Sequence, residues 1–466
     1  MSEYKKVFLK EAREKAFDPV HRRTIHHNMS KYDVAVHKGK QRWADLDGAR
    51  ERAGYLKHKV LSELDVYLTE FESQFERRGG KVIWAPSARD AIREVLKILK
   101  KHDVKKVVKT KSMITEELEL NDVLQKYRIE SVETDLGEYI VQLAGEHPYH
   151  IVTPAMHKSK EDVAALFNEK FDLPVESTPD EITAFVRGKL REVFLSADAA
   201  ITGANFLIAD TGSIALTENE GNGMMSMAFP RIHIAIAGIE KIIPSLRDLD
   251  LYWPLLATYG TGQWVTAYNS ILSGPRQQGE ADGPEEMYVV LLDNGRTDIL
   301  AMKEQRRALS CIKCGACLNV CPVYRNIGGH TYNTTYTGPI GSVISPHLEG
   351  LKELGHLSHA SSLCGSCTEV CPVKINLHEL LLYNRRDMVK KGISTSTERM
   401  VMGGLKRVML KRSLMNTGSA GVRNALLRRM FKKAWGSDRV LPELAPKSFN
   451  QLWEEQRGIK SKQPRK

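Results

Sequence analysis

Two cysteine runs carry the chemistry of this sequence. Residues 311–324, CIKCGACLNVCPVY, spell C-x2-C-x2-C-x3-C-P in full, and residues 361–375, SSLCGSCTEVCPVKI, repeat it with Ser361 where the first cysteine would stand. All seven cysteines of the chain lie in these runs. An odd count at such short spacings suits metal ligation in a reducing compartment, not disulfide pairing. Thiolate sulfur is a soft donor matched to iron–sulfide cores, and short spacers let one turning backbone wrap several corners of a cluster. In two-cluster modules of this spacing the fourth cysteine of a run ligates the other cluster. On that logic cluster 1, a [4Fe-4S] centre, takes Cys311, Cys314, Cys317 and the distant Cys371. Cluster 2 takes Cys321, Cys364 and Cys367. Its fourth corner falls to Ser361, to water, to a neighbour such as His356 or His359, or to nothing, so [4Fe-4S] and [3Fe-4S] both stay open. An empty second site would leave Cys364 and Cys367 without a purpose. A zinc ribbon also uses paired C-x2-C motifs, but the three-in-a-row spacing and twin C-P endings argue against it.

These runs need a scaffold, and 466 residues suffice for two or three domains. Residues 1–75 read as helices, charged, with apolar residues at three- and four-residue intervals. Residues 76–300 alternate short apolar runs with amphipathic stretches. KVIWA, VKKVVKT, IESVETDL, HIVTPA and MYVVLLD read as strands, and SARDAIREVLKILKKHDV and TPDEITAFVRGKLREVFLSA as helices. Ser87 and Thr115 are expected N-caps. Such alternation predicts a parallel sheet covered by helices. Residues 301–385 hold the cysteines, with GLKELGHLSHA expected as a helix between the runs, and residues 386–466 form a basic, helical C-terminal part. The long helical connector suggests an all-α ferredoxin-like module.

Within the α/β part, ITGANFLIADTGSIALTENEGNG (201–223) predicts a hairpin, ANFLIA and SIALTE joined by DTG, then a polar glycine-rich loop. Asn205, Asp210, Thr211, Glu218, Asn219, Glu220 and Asn222 are the ligand-facing candidates there, and Gly212, Gly221 and Gly223 would let backbone approach a ligand. DTG and NEGNG are equally what plain tight turns look like. Lys111 and Ser112, after VKKVVKT, could hold an anion. There is no P-loop and no GxGxxG, which speaks against ATP and Rossmann-bound nucleotides.

The formal charge of +11 is concentrated at one end: residues 373–466 carry 22 Lys/Arg against 7 Asp/Glu. RRDMVKK, KRVMLKR and RRMFKKAW suit docking onto an acidic subunit surface first and peripheral contact with an anionic membrane second, with nucleic acid the weakest reading. The charged N-terminus lacks the apolar core of a signal peptide, and no apolar run is long enough to span a bilayer. The expectation is a cytoplasmic protein.

TKSMITEELELNDVL, ETDLGEYIVQLAGEHPYHIVTPAMHK, ITGANFLIADTGSIALTENEGN and HIAIAGIEKIIPS, followed by the cysteine block and basic tail, resemble the lactate utilization protein B family across nearly the whole chain. The resemblance implies a lactate-utilization (LUD) domain, similar in fold to sugar-phosphate isomerases and CoA transferases, joined to a two-cluster iron–sulfur module. It implies an electron-carrying subunit in the oxidation of L-lactate to pyruvate. Its expected partners are a cysteine-rich-domain subunit and a second LUD-domain subunit. The family's second run also has three cysteines, so Ser361 fits its pattern. Two other readings stand beside this one: an oxidoreductase that binds substrate in its own LUD domain, and a redox-sensing regulatory protein.

Overall fold

The computed structural model describes residues 2–393, 395–415, 418–436 and 439–458. They fall into two compact units, residues 1–390 and 391–466. The first unit opens with four helices: α1 (Glu3–Phe17), α2 (Pro19–Lys40), α3 (Leu46–Ser62) and α4 (Leu64–Arg77). Polar caps start three of them. Ser2 accepts from the Lys5 N–H, Asp18 from Val20 and His21 with Pro19 at the first helical position, and Asp45 from Gly48. Their apolar faces divide between two cores. Phe8, Ile25, Met29 and Ala53 pack in the core that contains Cys314, Cys317, Cys321, Cys367 and Cys371. Val60, Leu64, Leu68, Phe71 and Phe75 pack against the sheets instead. Full burial of such a side chain stabilises by about 1.5–3 kcal/mol, so the helices splint the cysteine segment to the α/β part.

Ten strands follow: β1 (Lys81–Ala85), β2 (Lys106–Lys109), β3 (Glu130–Glu133), β4 (Ala199–Thr202), β5 (Phe206–Ile208), β6 (Ser213–Glu218), β7 (Ile232–Gly238), β8 (Ile242–Ile243), β9 (Tyr268–Leu272) and β10 (Glu286–Leu292). Six make an all-parallel sheet in the order β1-β10-β7-β4-β2-β3. Every residue of β7 is buried, the pattern of a strand covered on both faces. The other four make a sheet in the order β8-β5-β6-β9, with β5 and β6 the antiparallel pair expected around DTG. In the large sheet the chain steps outward from β2 to β3, then returns to place β4, β7 and β10 on the other side of β2. The direction of winding therefore switches between β2 and β4.

Ser87 caps its helix as expected, accepting from the Asp90 N–H. Three details differ from the sequence reading. HIVTPA is not a strand: Pro154 has no N–H to pair, and the His150 Nδ1 accepts from the N–H groups of Val152 (3.1 Å) and Thr153 (3.2 Å), closing a turn. Thr115 lies inside the helix Met113–Glu117, where Ser112 holds the N-cap position and the Thr115 hydroxyl donates to the Ser112 carbonyl at 2.7 Å. GLKELGHLSHA breaks into a helix, Leu351–Leu354, and a 3-10 turn, Gly355–His359. Residues 293–390 contain helices and turns and, among the described residues, no strand.

The second unit holds the helices Ser396–Leu410, Arg412–Met415, Ala420–Trp435 and Phe449–Gln456. The first of these buries nothing and exposes Met400, Met402, Leu405 and Met409. Among the described residues no helix is long and apolar enough to cross a membrane.

His233 sits unexposed in β7, its Nε2 2.8 Å from the Thr202 hydroxyl of β4. Burial pulls its pKa from 6.5 down to about 4. The folded value lies below the unfolded one, so this contribution to stability is complete above pH 6.5 and is lost as pH falls toward 4. The loss is at most about 1.4 kcal/mol per pH unit. His233→Gln should flatten the fall in apparent melting temperature between pH 7 and pH 5, and an unchanged slope would contradict the assignment.

Candidate metal centre and adjoining cavity

The two cysteine runs fold alike. In the first, Lys313 (φ 61°) and Gly315 (φ 76°) take left-handed backbone, and the short helix Ala316–Asn319 follows. In the second, Leu363 (φ 55°) and Gly365 (φ 85°) do the same, followed by Ser366–Glu369. Non-glycine residues seldom adopt that region, so its use at matching places gives the two runs the same distinctive loop shape. The Lys313 N–H donates to the Cys311 Sγ at 3.4 Å, and the Leu363 N–H donates to the Ser361 hydroxyl at 3.0 Å. Ser361 thus holds the place in its loop that Cys311 holds in the other.

The thiols separate into two electrostatic groups. Cys317 is raised by burial and then by Cys311, Cys314 and Cys371. Cys367 is raised to about 11 by burial and then by Cys321 and Cys364. Backbone N–H groups of Ala316, Ile340 and Ile375 oppose the effect of burial at Cys314, Cys317 and Cys371. Cys364 differs: it is exposed, and the Ser366 hydroxyl beside it lowers its pKa. Two sets of thiols that act on one another electrostatically, each with backbone donors, fit iron–sulfur clusters, whose charge such donors would offset. A cluster bound there would supply one-electron chemistry. The chain's part is to fix the sulfurs, donate to them and exclude water. Arg50 of α3 helps by donating to the carbonyl of Cys371 (3.1 Å), anchoring the end of the second run. His356 packs its ring against Phe8, centroids 5.3 Å apart, with its Nδ1 3.0 Å from the Glu353 carbonyl.

A cavity of about 370 Å³ opens beside the first loop. Its wall includes Lys313 and Cys314, together with Thr110, Lys111, Asp135, Asn205, Glu218, Asn219, Glu220 and Asn222. A smaller chamber of about 110 Å³ shares Lys111, Asn205 and Lys313 with it and adds Ser112, Glu240, Lys241 and Tyr336. Five of the seven sequence candidates therefore meet here. Most of their polar atoms hold the loop together. The Glu218 carboxylate accepts from the N–H groups of Gly223 (2.7 Å) and Met224 (2.8 Å). Asn219 exchanges two bonds with Gln263 and accepts from Ala267, and Glu220 accepts from the Leu136 N–H at 2.9 Å. Asn222 bonds the Thr134 hydroxyl at 3.2 Å. Burial and the neighbouring Asp135 push the Glu220 carboxyl up to about 7, although its exposure to solvent screens part of that push. Asp210 and Thr211 lie elsewhere, at the hairpin turn, where Asp210 accepts from the Leu246 N–H at 3.1 Å. Gly212 is required there, because a Cβ would stand 2.3 Å from the Phe75 nitrogen.

Beside the small chamber lies a charged junction that the sequence did not single out. Arg296, 2% exposed, donates from Nε to Glu240 (2.7 Å) and from its two terminal nitrogens to Glu117 (2.8 and 3.0 Å). The Tyr336 hydroxyl and the Asn294 amide also donate to Glu117, at 2.6 and 2.7 Å. Against the penalty of burial, Arg296, Lys313 and Lys241 hold the Glu240 carboxyl down to about 2. The Lys57 ammonium donates to the carbonyls of Glu240 and Ile242. The one available signal was charge inside an apolar run, as in IAIAGIEKIIPS.

Comparison with known proteins agrees with this organisation. The LUD domain model matches residues 68–292, and the 4Fe-4S dicluster domain model matches residues 307–375. The chain is 45% identical over 379 residues to lactate utilization protein B of Bacillus velezensis, covering 81% of this chain and 79% of that one. Against the Bacillus subtilis protein of the same name the identity is 45% over 366 residues, 78% of this chain and 76% of the other. The chain belongs to the lactate utilization protein B family. The family likeness extends to an uncharacterized electron transport protein of Escherichia coli (strain K12), YkgF, 43% identical over 386 residues, 83% of this chain and 81% of that one. Among solved structures, a DUF162 family protein from Deinococcus radiodurans aligns over 49% of this chain and 98% of its own, at 13% identity and a TM-score of 0.29, too loosely to carry an argument. Seven cysteines within 311–371 are consistent with two iron–sulfur clusters in this family member.

Arg296→Met should destabilise the protein by about 3–5 kcal/mol, because it leaves two buried carboxylates unpaired. Arg296→Lys, which keeps the charge and loses the two-sided fork, should recover part of that. Denaturant unfolding of the three proteins measures this, and wild-type stability in the methionine variant would contradict it.

Proposed function

We propose that this chain is the iron–sulfur electron-transfer subunit of a cytoplasmic complex that oxidises L-lactate to pyruvate. The observation that carries the reading is the pair of matching loops with two separate sets of thiols. Cys311, Cys314, Cys317 and Cys371 hold cluster 1, a [4Fe-4S] centre. Cys321, Cys364 and Cys367 hold cluster 2. Three thiolates would suffice for a [3Fe-4S] centre, and a [4Fe-4S] centre would leave its fourth corner to Ser361, to water or to a neighbour such as His356 or His359. Bound there, the clusters would supply one-electron relay chemistry, and the exposure of Cys364 against the burial of Cys314 and Cys317 supports cluster 2 as the outward-facing site. The lactate assignment draws on the names of the relatives.

The α/β part has the fold of sugar-phosphate isomerases and CoA transferases, a reading supported by its parallel sheet with loops gathered at one end. The complex contains a cysteine-rich-domain subunit and a second LUD-domain subunit. The basic C-terminal unit, with exposed Met400, Met402, Leu405 and Met409 between its charges, docks onto an acidic surface of one of them. A second reading, oxidation of substrate by this chain itself, is favoured by one observation: Cys314 and Lys313 line the cavity.

Cys314→Ala should abolish growth on L-lactate as sole carbon source while leaving growth on glucose intact, with the variant present at normal level by immunoblot. Undiminished growth on lactate would remove the relay role.

A further inference from the structure

The strand ends assign a ligand to the cavity beside the first cysteine loop. Open parallel sheets bind ligands outside the carboxyl ends of the strands, where the winding direction switches. Here the switch lies between β2 and β4. The residues that follow those strands, Thr110 to Ser112 and Gly203 to Asn205, line the two chambers. The backbones come close at this point, since a Cβ on Gly203 would stand 2.5 Å from the Ser112 hydroxyl. The small chamber has three ammonium groups in its wall: Lys111 after β2, Lys241 after β7, and Lys313 from the cysteine loop.

Those charges are answered only in part: Glu240 acts on Lys241 and Lys313, and the Cys311 thiol on Lys241. Among the described residues, however, neither ammonium closes an ion pair with a carboxylate within 4.0 Å; Lys313 rests over the Tyr336 ring, 4.0 Å from its centroid. Lys111 donates to the Val152 carbonyl at 2.9 Å and stands 3.5 Å from Asp135. The sole carboxylate of the small chamber, Glu240, is engaged by Arg296 at 2.7 Å. In the outer chamber, Glu218 and Glu220 are taken up by backbone N–H groups and Asp135 caps the helix Leu136–Ala144. Among the described residues, the Thr110 hydroxyl, buried in the outer wall, has no hydrogen-bond partner. Three cations around a chamber of about 110 Å³ call for a small anion, the only size of ligand that fits wholly inside it.

We propose that the chamber is a binding site for a small carboxylate, held by Lys111, Lys241 and Lys313 beside the loop of Cys311 and Cys314. The larger chamber is its entrance. The proposal deepens the lactate reading by putting a carboxylate site on this chain, and it requires no electron transfer to be tested.

The test is calorimetric titration of the anaerobic, cluster-loaded protein with L-lactate, pyruvate and inorganic phosphate, with EPR of the reduced protein recorded with and without each. The expected result is one carboxylate bound per chain, weakened tenfold or more in Lys241→Met and in Lys111→Met at unchanged iron and sulfide content, with a shifted cluster signal on binding. Should Lys241→Met fail to load iron, Lys111→Met decides alone. Absence of carboxylate binding, equal binding in wild type and variants, or binding of phosphate alone would overturn the proposal. None of those outcomes touches the relay role, which rests on the growth of Cys314→Ala.

Discussion

The buried bond between Arg296 and its two carboxylates is the constraint around which the first unit is arranged. Arg296 follows β10, Glu240 follows β7, Glu117 ends the helix after β2, and Tyr336 belongs to the cysteine segment. One guanidinium thus joins three strand ends to the region that carries the thiols. Charges so deeply buried are tolerated only when every partner is present, which fixes the relative positions of these elements within narrow limits. Gly238 belongs to the same requirement: a Cβ there would stand 2.1 Å from the Glu240 carboxylate and 2.6 Å from the Arg296 nitrogen. Lys57 extends the tie to α3, and Arg50 of the same helix reaches the second cysteine run.

The two thiol sets differ in their surroundings. The set around Cys317 sits in the core under α1–α3, beside the lysine-lined cavity. The set around Cys367 approaches the surface at Cys364, which solvent reaches. Burial and backbone donors act differently on the two, and both tune cluster potential. A buried thiol set near a cavity and a second set that reaches the surface at Cys364 would suit an electron path with an inside and an outside end.

Much of this was legible in the sequence, for a reason that differs from element to element. Cysteine spacing is local chemistry, so both runs could be read directly as an iron–sulfur module. Apolar runs such as IHIAIAG announce a strand covered on both faces, and β7 is one. HIVTPA looked similar but contains Pro154 and a histidine whose ring captures two backbone N–H groups, a competition invisible to apolar patterning. The loop NEGNG was found, yet its polar atoms serve mostly to hold the loop itself. Lys241, Lys313 and Arg296 escaped notice because their importance comes from segments far apart in the chain meeting at strand ends. Topology, not composition, brings them together.

Every functional conclusion depends on this chain holding two iron–sulfur clusters. EPR of the anaerobically purified protein, as isolated and after dithionite reduction, with iron and sulfide counts per chain, tests it most directly. Two clusters require about seven or eight irons per chain. With about seven, the oxidised protein shows a near-isotropic three-iron signal. With about eight, it is silent when oxidised and shows interacting signals on reduction. About four irons with one isolated signal, or zinc in place of iron, would contradict it.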